Sequence, residues 1–123
     1  MFISDLVSYI ADNTTLVQDT NLFIGADEPD APNKAVFVSE FAGGDETWSG
    51  LISHPVQVLV RDLTYLLAET LAYEVYDVLA NKAGFSGGVL DVFYCEVLNR
   101  PFAVGRNERG CYIFSSNFLF RMT

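Results

Sequence analysis

The sequence predicts an α+β domain: two helices packed on one face of a mostly antiparallel or mixed sheet of about five strands. Three observations carry that prediction. Two segments repeat apolar residues at helical spacing. Several shorter segments alternate apolar and polar residues, the last of them over nearly its whole length. Their order along the chain is α-β-β-β-α-β-β, which fits neither a doubly wound sheet nor a helical bundle.

Each element follows from its residues. Ile3, Leu6, Val7 and Ile10 recur at helical spacing with Asp5, Ser8, Tyr9 and Asp12 between them, and Asn13-Thr14-Thr15 ends that helix. Asn21 to Gly25 is a short apolar strand, followed by an acidic loop with Pro29 and Pro32. Ala35 to Phe41 is rich in β-branched and aromatic residues and reads as the next strand. After the loop Gly43 to Gly50 comes the strand Val56 to Arg61, with Val56, Val58 and Val60 on one face. The second helix runs from about Leu63 to Lys82, its stripe being Leu63, Leu67, Leu71, Val75 and Val78. Lys82 is expected near its negative end and Gly84 as its left-handed cap. Gly84 to Gly88 reads as a linker turn. The remainder is β: Val89 to Leu98, a bend at Arg100-Pro101, a turn around Arg106 to Gly110, and a long final strand. No internal repeat or linker appears, so residues 1–123 are expected to form one domain.

The 123 residues are half hydrophobic and 14% aromatic, too apolar for a disordered chain. No apolar run approaches the roughly 18 residues that cross a bilayer, and no membrane partner is expected. The N-terminal residues lack a basic segment followed by an apolar one, so the chain is expected to be cytosolic when made. A net charge of -9 with only 7 basic residues argues against nucleic-acid affinity, which requires Lys and Arg to displace phosphate counterions. Cys95 and Cys111 are expected as buried free thiols in such a compartment.

No catalytic, cofactor or metal site emerges. His54 is the only imidazole, and no nucleophile or orienting carboxylate stands at a telling distance from it. It precedes Pro55 and reads as a turn residue at a sheet edge. The acids Asp27, Glu28 and Asp30 crowd one loop and Asp45 and Glu46 another, without the regular ligand spacing of a calcium loop. The glycine-rich stretch after the second helix has the wrong order for a phosphate cradle, which runs strand, turn, helix. Two features stand out. Tyr65, Tyr73 and Tyr76 project away from the core stripe of the second helix, where they serve either an interface or loops of the same subunit. Trp48, the sole tryptophan, lies in the Gly43 to Gly50 loop and either folds back on the core or docks into a partner.

The run VQVLVRDLTYLLAETLAYEVYDVL, Val56 to Leu79, resembles the siphophage tail terminator family, also called phage minor capsid or tail completion proteins. The family pattern is a valine-alternating strand ending in Arg, a short turn with Tyr, and an Ala/Leu-rich helix with a late Tyr-Asp. Val56, Val58, Val60, Arg61, Tyr65, Ala68, Leu71, Ala72, Tyr76 and Leu79 occupy it. The C-terminal GRNERGCYIFSSNFLFRMT is similar too, with Asn107-Glu108-Arg109-Gly110 at the family's acidic-Arg turn before Ser116-Asn117-Phe118. The opening helix and the NLFIG strand with its proline-rich loop agree, so the resemblance spans most of the chain. One departure is Asn107, which stands where the family has an Asp.

That resemblance implies a structural virion protein at the head–tail interface, assembled in the host cytoplasm. Its copies would form a sixfold ring that caps the tail tube, stops its elongation and offers a docking surface to the head. Its partners would be other copies (a hexamer), the tail tube protein and a head–tail connector or stopper, with DNA passing through the lumen without specific binding. Under this reading the acids Asp27, Glu28, Asp30, Asp45 and Glu46 lie at the lumen or rim. A ring needs two different matching patches, for which the tyrosine face and the Arg106–Arg109 turn are the candidates. Alternatives are another phage neck protein, or a small ligand- or peptide-binding α+β domain with a pocket between helix and sheet. The Val- and Phe-rich inward strand faces favour a filled core instead.

Overall fold

The computed structural model describes residues 2–25, 30–41, 52–80, 83–87 and 90–122. Helix α1 (Phe2–Asn13) buries Leu6, Val7 and Ile10, as the spacing predicts. Its end is held by side chains rather than by glycine: Thr14 Oγ1 donates to the Ile10 carbonyl at 2.8 Å and Asn13 Nδ2 to the Tyr9 carbonyl at 2.8 Å. Three strands follow, β1 (Leu22–Ile24), β2 (Ala35–Glu40) and β3 (Ile52–Asp62), then helix α2 (Tyr65–Leu79). The chain closes with β4 (Ala83–Gly87), β5 (Leu90–Arg106) and β6 (Tyr112–Met122). One sheet results, ordered β1-β2-β3-β6-β5-β4, with β1 parallel to β2 and every other pair antiparallel.

The centre of the sheet is the β3–β6 ladder, which runs without a break from Ile52 opposite Met122 to Asp62 opposite Tyr112. Residues directly opposite share a face, so Val56, Val58 and Val60 stand with Phe118, Ser116 and Phe114. The β2 pairing adds Val36 and Val38 to that face. Both helices cover it, and the core they close contains Leu6, Ile10, Leu71, Val75, Leu79 and Phe120. An α+β domain with two helices over a mixed sheet is thus what the sequence forms.

Helix α2 differs from its expected register. Thr64 is the N-cap, its Oγ1 accepting from the Leu67 N–H at 3.2 Å, and Asp62 Oδ1 accepts from the Leu63 N–H at 2.7 Å. Leu63 therefore precedes the helix. The buried line is Ala68, Leu71, Ala72, Val75 and Leu79, while Leu63 and Leu67 are exposed. A strict four-residue repeat advances about 400° and drifts roughly 40° per step around the helix. The small Ala68 and Ala72 instead let the backbone approach the sheet. Helix α2 stops at Leu79, where the Ala80 N–H reaches the Tyr76 carbonyl at 2.7 Å. Lys82 lies outside the described residues, and Gly84 belongs to strand β4 instead of capping the helix.

Strand β4 is the element the sequence did not announce, since its glycines carry no strand propensity. It exists by pairing, Ala83 to Gly87 against Tyr94 to Leu90. Strand β5 then continues past the expected bend, with register shifts between Val97 and Asn99, Asn99 and Phe102, and Ala103 and Gly105. Pro101 falls inside one of these irregularities, where a missing N–H is tolerated. Asn117 Nδ2 donates to Asn99 Oδ1 at 2.6 Å across the first shift.

The outer face of the sheet carries a second, smaller core of Ala31, Ala35 and Phe37 with Phe23 and Leu59 against it. It is closed by Arg61, only 2% exposed although charged. Arg61 donates to the Ala31 carbonyl at 2.7 Å and the Pro32 carbonyl at 3.0 Å, and its guanidinium lies 5.2 Å from the Phe37 ring centre. Arg109 donates to the same Ala31 carbonyl at 2.7 Å. Two arginines distant in sequence thereby strap the segment before β2 onto the sheet.

Cys95 and Cys111 are buried free thiols. Cys95 pairs with Phe120 at one end of β6 and Cys111 precedes its other end, so at ~3.4 Å per residue they stand roughly 30 Å apart. One chain cannot join them.

Two predictions follow from this packing. Arg61→Met is expected to lower unfolding free energy in urea by about 1–3 kcal/mol, because the buried guanidinium's bonds to the Ala31 and Pro32 carbonyls are lost and the buried Ala31 carbonyl loses one of its two arginine donors. Burial pushes the Cys95 thiol from its ordinary 9.0 up to about 12. The native state therefore holds that proton more tightly than the unfolded chain. The associated stability is complete below pH 9 and is lost as pH rises through about 12. Urea titrations between pH 9 and 11 should show wild type losing ~1.4 kcal/mol per pH unit relative to Cys95→Ala.

Candidate assembly interface

Among the described residues no group of His, Cys, Asp and Glu is placed to hold a metal ion. His54 sits inside β3, opposite Phe120, and not in a turn. Its ring stacks on Phe2 at 4.2 Å, and Nδ1 lies 3.3 Å from Glu40 Oε1. The imidazole thus ties the start of α1 to the sheet.

The three tyrosines of α2 have different surroundings. Tyr76 packs against the core, its ring 6.1 Å from Phe118. Tyr73 meets Tyr76 edge-on at 5.5 Å and lines a shallow groove with Glu69, Thr70, Glu74 and Asp77. Glu74 Oε2 accepts from both the N–H and the hydroxyl of Thr15, each at 2.9 Å, which fastens α2 to the end of α1. Tyr65 is half exposed, with its ring edge-on to Tyr112 at 5.8 Å and Phe114 at 5.0 Å.

The arginine turn is built by Asn107. Its Oδ1 accepts from the Arg109 N–H at 3.0 Å and the Cys111 N–H at 2.9 Å, a role Asn fills as well as Asp. Gly110, at φ 81°, supplies the left-handed residue that closes the hairpin. Arg106 is exposed and lies over the Tyr112 ring at 4.8 Å, whereas Arg109 reaches inward to Ala31. Tyr65 and Arg106 therefore meet around Tyr112. Tyr73 lies further along α2, away from them. Of the acids, Asp30 is exposed beside Ala31. Asp27, Glu28, Asp45, Glu46 and Trp48 lie outside the described residues.

Sequence reasoning missed several exposed apolar residues. Leu63, Leu66 and Leu67 are 55%, 69% and 49% exposed, and Phe102 and Val104 are 49% and 57% exposed. The signal for the leucines was Thr64: a cap there excludes Leu63 from the helix and turns Leu66 and Leu67 off the buried line. Beyond Tyr94, β5 is flanked by no strand on its outer side among the described residues, which exposes Phe102 and Val104.

Half-exposed apolar and aromatic side chains thus stand beside acids and arginines on the described surface. Residues 9–123 match the family model described as bacteriophage tail terminator protein. The chain belongs to the bacteriophage tail terminator family, and so is a structural protein of a phage tail or neck. No curated protein matches the sequence. In fold it is similar to a chain from the virion of a native gene transfer agent particle. The TM-score is 0.63 at 13% identity, covering 94% of this chain and 82% of that one.

The tyrosine surroundings separate two roles. Tyr76→Ala is expected to cost about 2–4 kcal/mol of monomer stability, as a partly buried core aromatic. Tyr73→Ala should stay within ~0.5–1 kcal/mol. Thermal and urea unfolding of the two variants measures the difference.

Proposed function

We propose that this chain forms a sixfold ring that caps the tail tube, ends its elongation and presents the docking surface for the head. The reading rests on the tail terminator family match across residues 9–123. It places the protein in the virion at the head–tail interface, after assembly in the host cytoplasm as a single domain of residues 1–123. Its partners are further copies of itself, the tail tube protein and the head–tail connector or stopper. It acts without catalysis or cofactor.

The helix–sheet layer is filled by apolar side chains, which supports a structural role over ligand binding. In a ring, contacts are head-to-tail, so one subunit must carry two unlike surfaces. Tyr65, Tyr73, Trp48 and Arg106 are the proposed contact residues, together with the outward parts of Tyr76 and Arg109, whose side chains also engage Phe118 and the Ala31 carbonyl within the subunit. Asp27, Glu28, Asp30, Asp45 and Glu46 are proposed to face the lumen or rim, where negative charge lets a duplex pass without sticking.

Negative-stain microscopy of the purified protein, alone and with polymerising tube protein, tests the proposal. Rings, and tubes capped at one end with arrested growth, are expected. Dispersed particles with unaltered tube growth would refute it.

A further inference from the structure

The sheet has two unlike lateral edges. Strand β1 forms one, and among the described residues the run of β5 beyond Tyr94 forms part of the other. The ladders place them at one height: Phe23 lies opposite Phe37, Phe37 opposite Leu59, Leu59 opposite Ser115 and Ser115 opposite Phe102. Paired residues share a face, so Phe23 and Phe102 end a single row across the sheet.

Each edge presents side chains more than backbone. At β1 the Leu22 N–H donates to the Val17 carbonyl at 3.2 Å, and the Leu22 carbonyl accepts from the Asp19 N–H at 2.9 Å. The turn before β1 thus occupies that part of its backbone edge. Beside it lies a groove of about 510 Å³ with Phe23, Ile24 and Ala31 as apolar lining and Asp19 and Asp30 as acids. Arg61 and Arg109 direct donors to the Ala31 carbonyl, and among the described residues no base lines the groove. At β5 three register shifts interrupt the ladder. Leu98, Phe102 and Val104 are about half exposed there, and Arg100 and Arg106 are exposed in the same run.

Charge separates the two edges. Residues 1–33 contain Asp5, Asp12, Asp19, Asp27, Glu28 and Asp30 and no Lys or Arg, whereas residues 97–107 contain Arg100 and Arg106 and no acid. Opposite charge around apolar surface orients a partner and rejects wrong ones. A second copy of this chain brings the basic, apolar strand that the acidic, apolar groove fits. Two unlike surfaces on one chain are also what a head-to-tail contact requires.

We infer that the groove beside β1 receives the β5 edge of the next copy, with Phe102 against Phe23 and Ile24 and Arg100 between Asp19 and Asp30. The inference rests on the ring reading above and assigns its lateral contact. Neighbours in a closed ring are related by rotation alone. Strands that run along the ring axis therefore bring Phe102 of one copy to the height of Phe23 of the next.

Native mass spectrometry and sedimentation of the intact protein read the assembly, and circular dichroism checks each fold. Arg100→Glu and Asp30→Arg are each expected to shift rings to monomers, and a chain with both changes to regain them. The reversal is placed at Asp30 because Asp19, at φ 65°, holds a left-handed conformation that Asp tolerates better than Arg. Asp77→Arg makes the same charge change on α2 and should leave rings intact. A chain with Ile24→Cys and Val104→Cys, which keeps Phe102 and Arg100, gives an independent reading. Within one copy these positions lie four strand spacings apart, about 19 Å, beyond the reach of a disulfide. Diamide oxidation should therefore link copies into a ladder on a denaturing, non-reducing gel. Rings that persist in Arg100→Glu, or that yield no ladder in the cysteine variant, overturn the assigned edges while the ring reading stands. Rings lost in Asp77→Arg as in Asp30→Arg, or not regained in the double variant, overturn the pairing of Arg100 with the groove. Wild type that stays monomeric, with and without tube protein, overturns the ring reading and this inference with it.

Discussion

The antiparallel ladder between β3 and β6 is the frame on which every other contact depends. Its register runs unbroken from Ile52–Met122 to Asp62–Tyr112. Because side chains alternate with period two, a slip of β3 by one residue would turn Val56, Val58 and Val60 to the outer face at once. Burial of those three under the helices makes such a slip prohibitive. With that register set, Arg61 must point outward, and Phe37 one strand away must share its face. The strap onto Ala31 and Pro32 is thus a consequence of the ladder and not an independent device.

The same alternation divides the molecule into a finished face and an unfinished one. Under the helices the core is continuous, from Leu6 of α1 through Leu79 of α2 to Phe120 of β6. Among the described residues, exposed apolar side chains include those at the start of α2 and along the outer run of β5. Strand β4 pairs with β5 from Leu90 to Tyr94, and among the described residues no strand flanks β5 on that side beyond it. Bulges and Pro101 in that run disrupt the regular edge that would otherwise template indiscriminate strand pairing. Among the described residues this region exposes side chains rather than a regular backbone edge.

Some side chains of α2 and the arginine turn hold the fold, while others stay exposed. Tyr76, Glu74 and Arg109 serve the interior or the straps between elements. Leu66, Phe102 and Arg106 contribute little to either. Separating the two sets allows an interface to change without loss of the fold, since exposed positions tolerate substitution that core positions do not.

Sequence by itself determined the α+β class, both helices, the valine strand and the final strand, and the family pattern. Each of these rests on local periodicity over many residues, which a long amphipathic segment cannot hide. It also indicated the absence of a plausible metal-ligand spacing and the resemblance that the family match bears out over residues 9–123. Tertiary structure alone decided the rest. Strand β4 is made by its neighbour rather than by its glycines, so no local preference signals it. The burial of α2 follows Ala68 and Ala72 because close approach to the sheet favours small residues, and the leucine stripe read from spacing was left partly in water. Arg61 and Arg109 converge on Ala31 from positions far apart in the chain. Interactions of that kind depend on how strands are ordered in space, information a periodicity contains only after the sheet has formed.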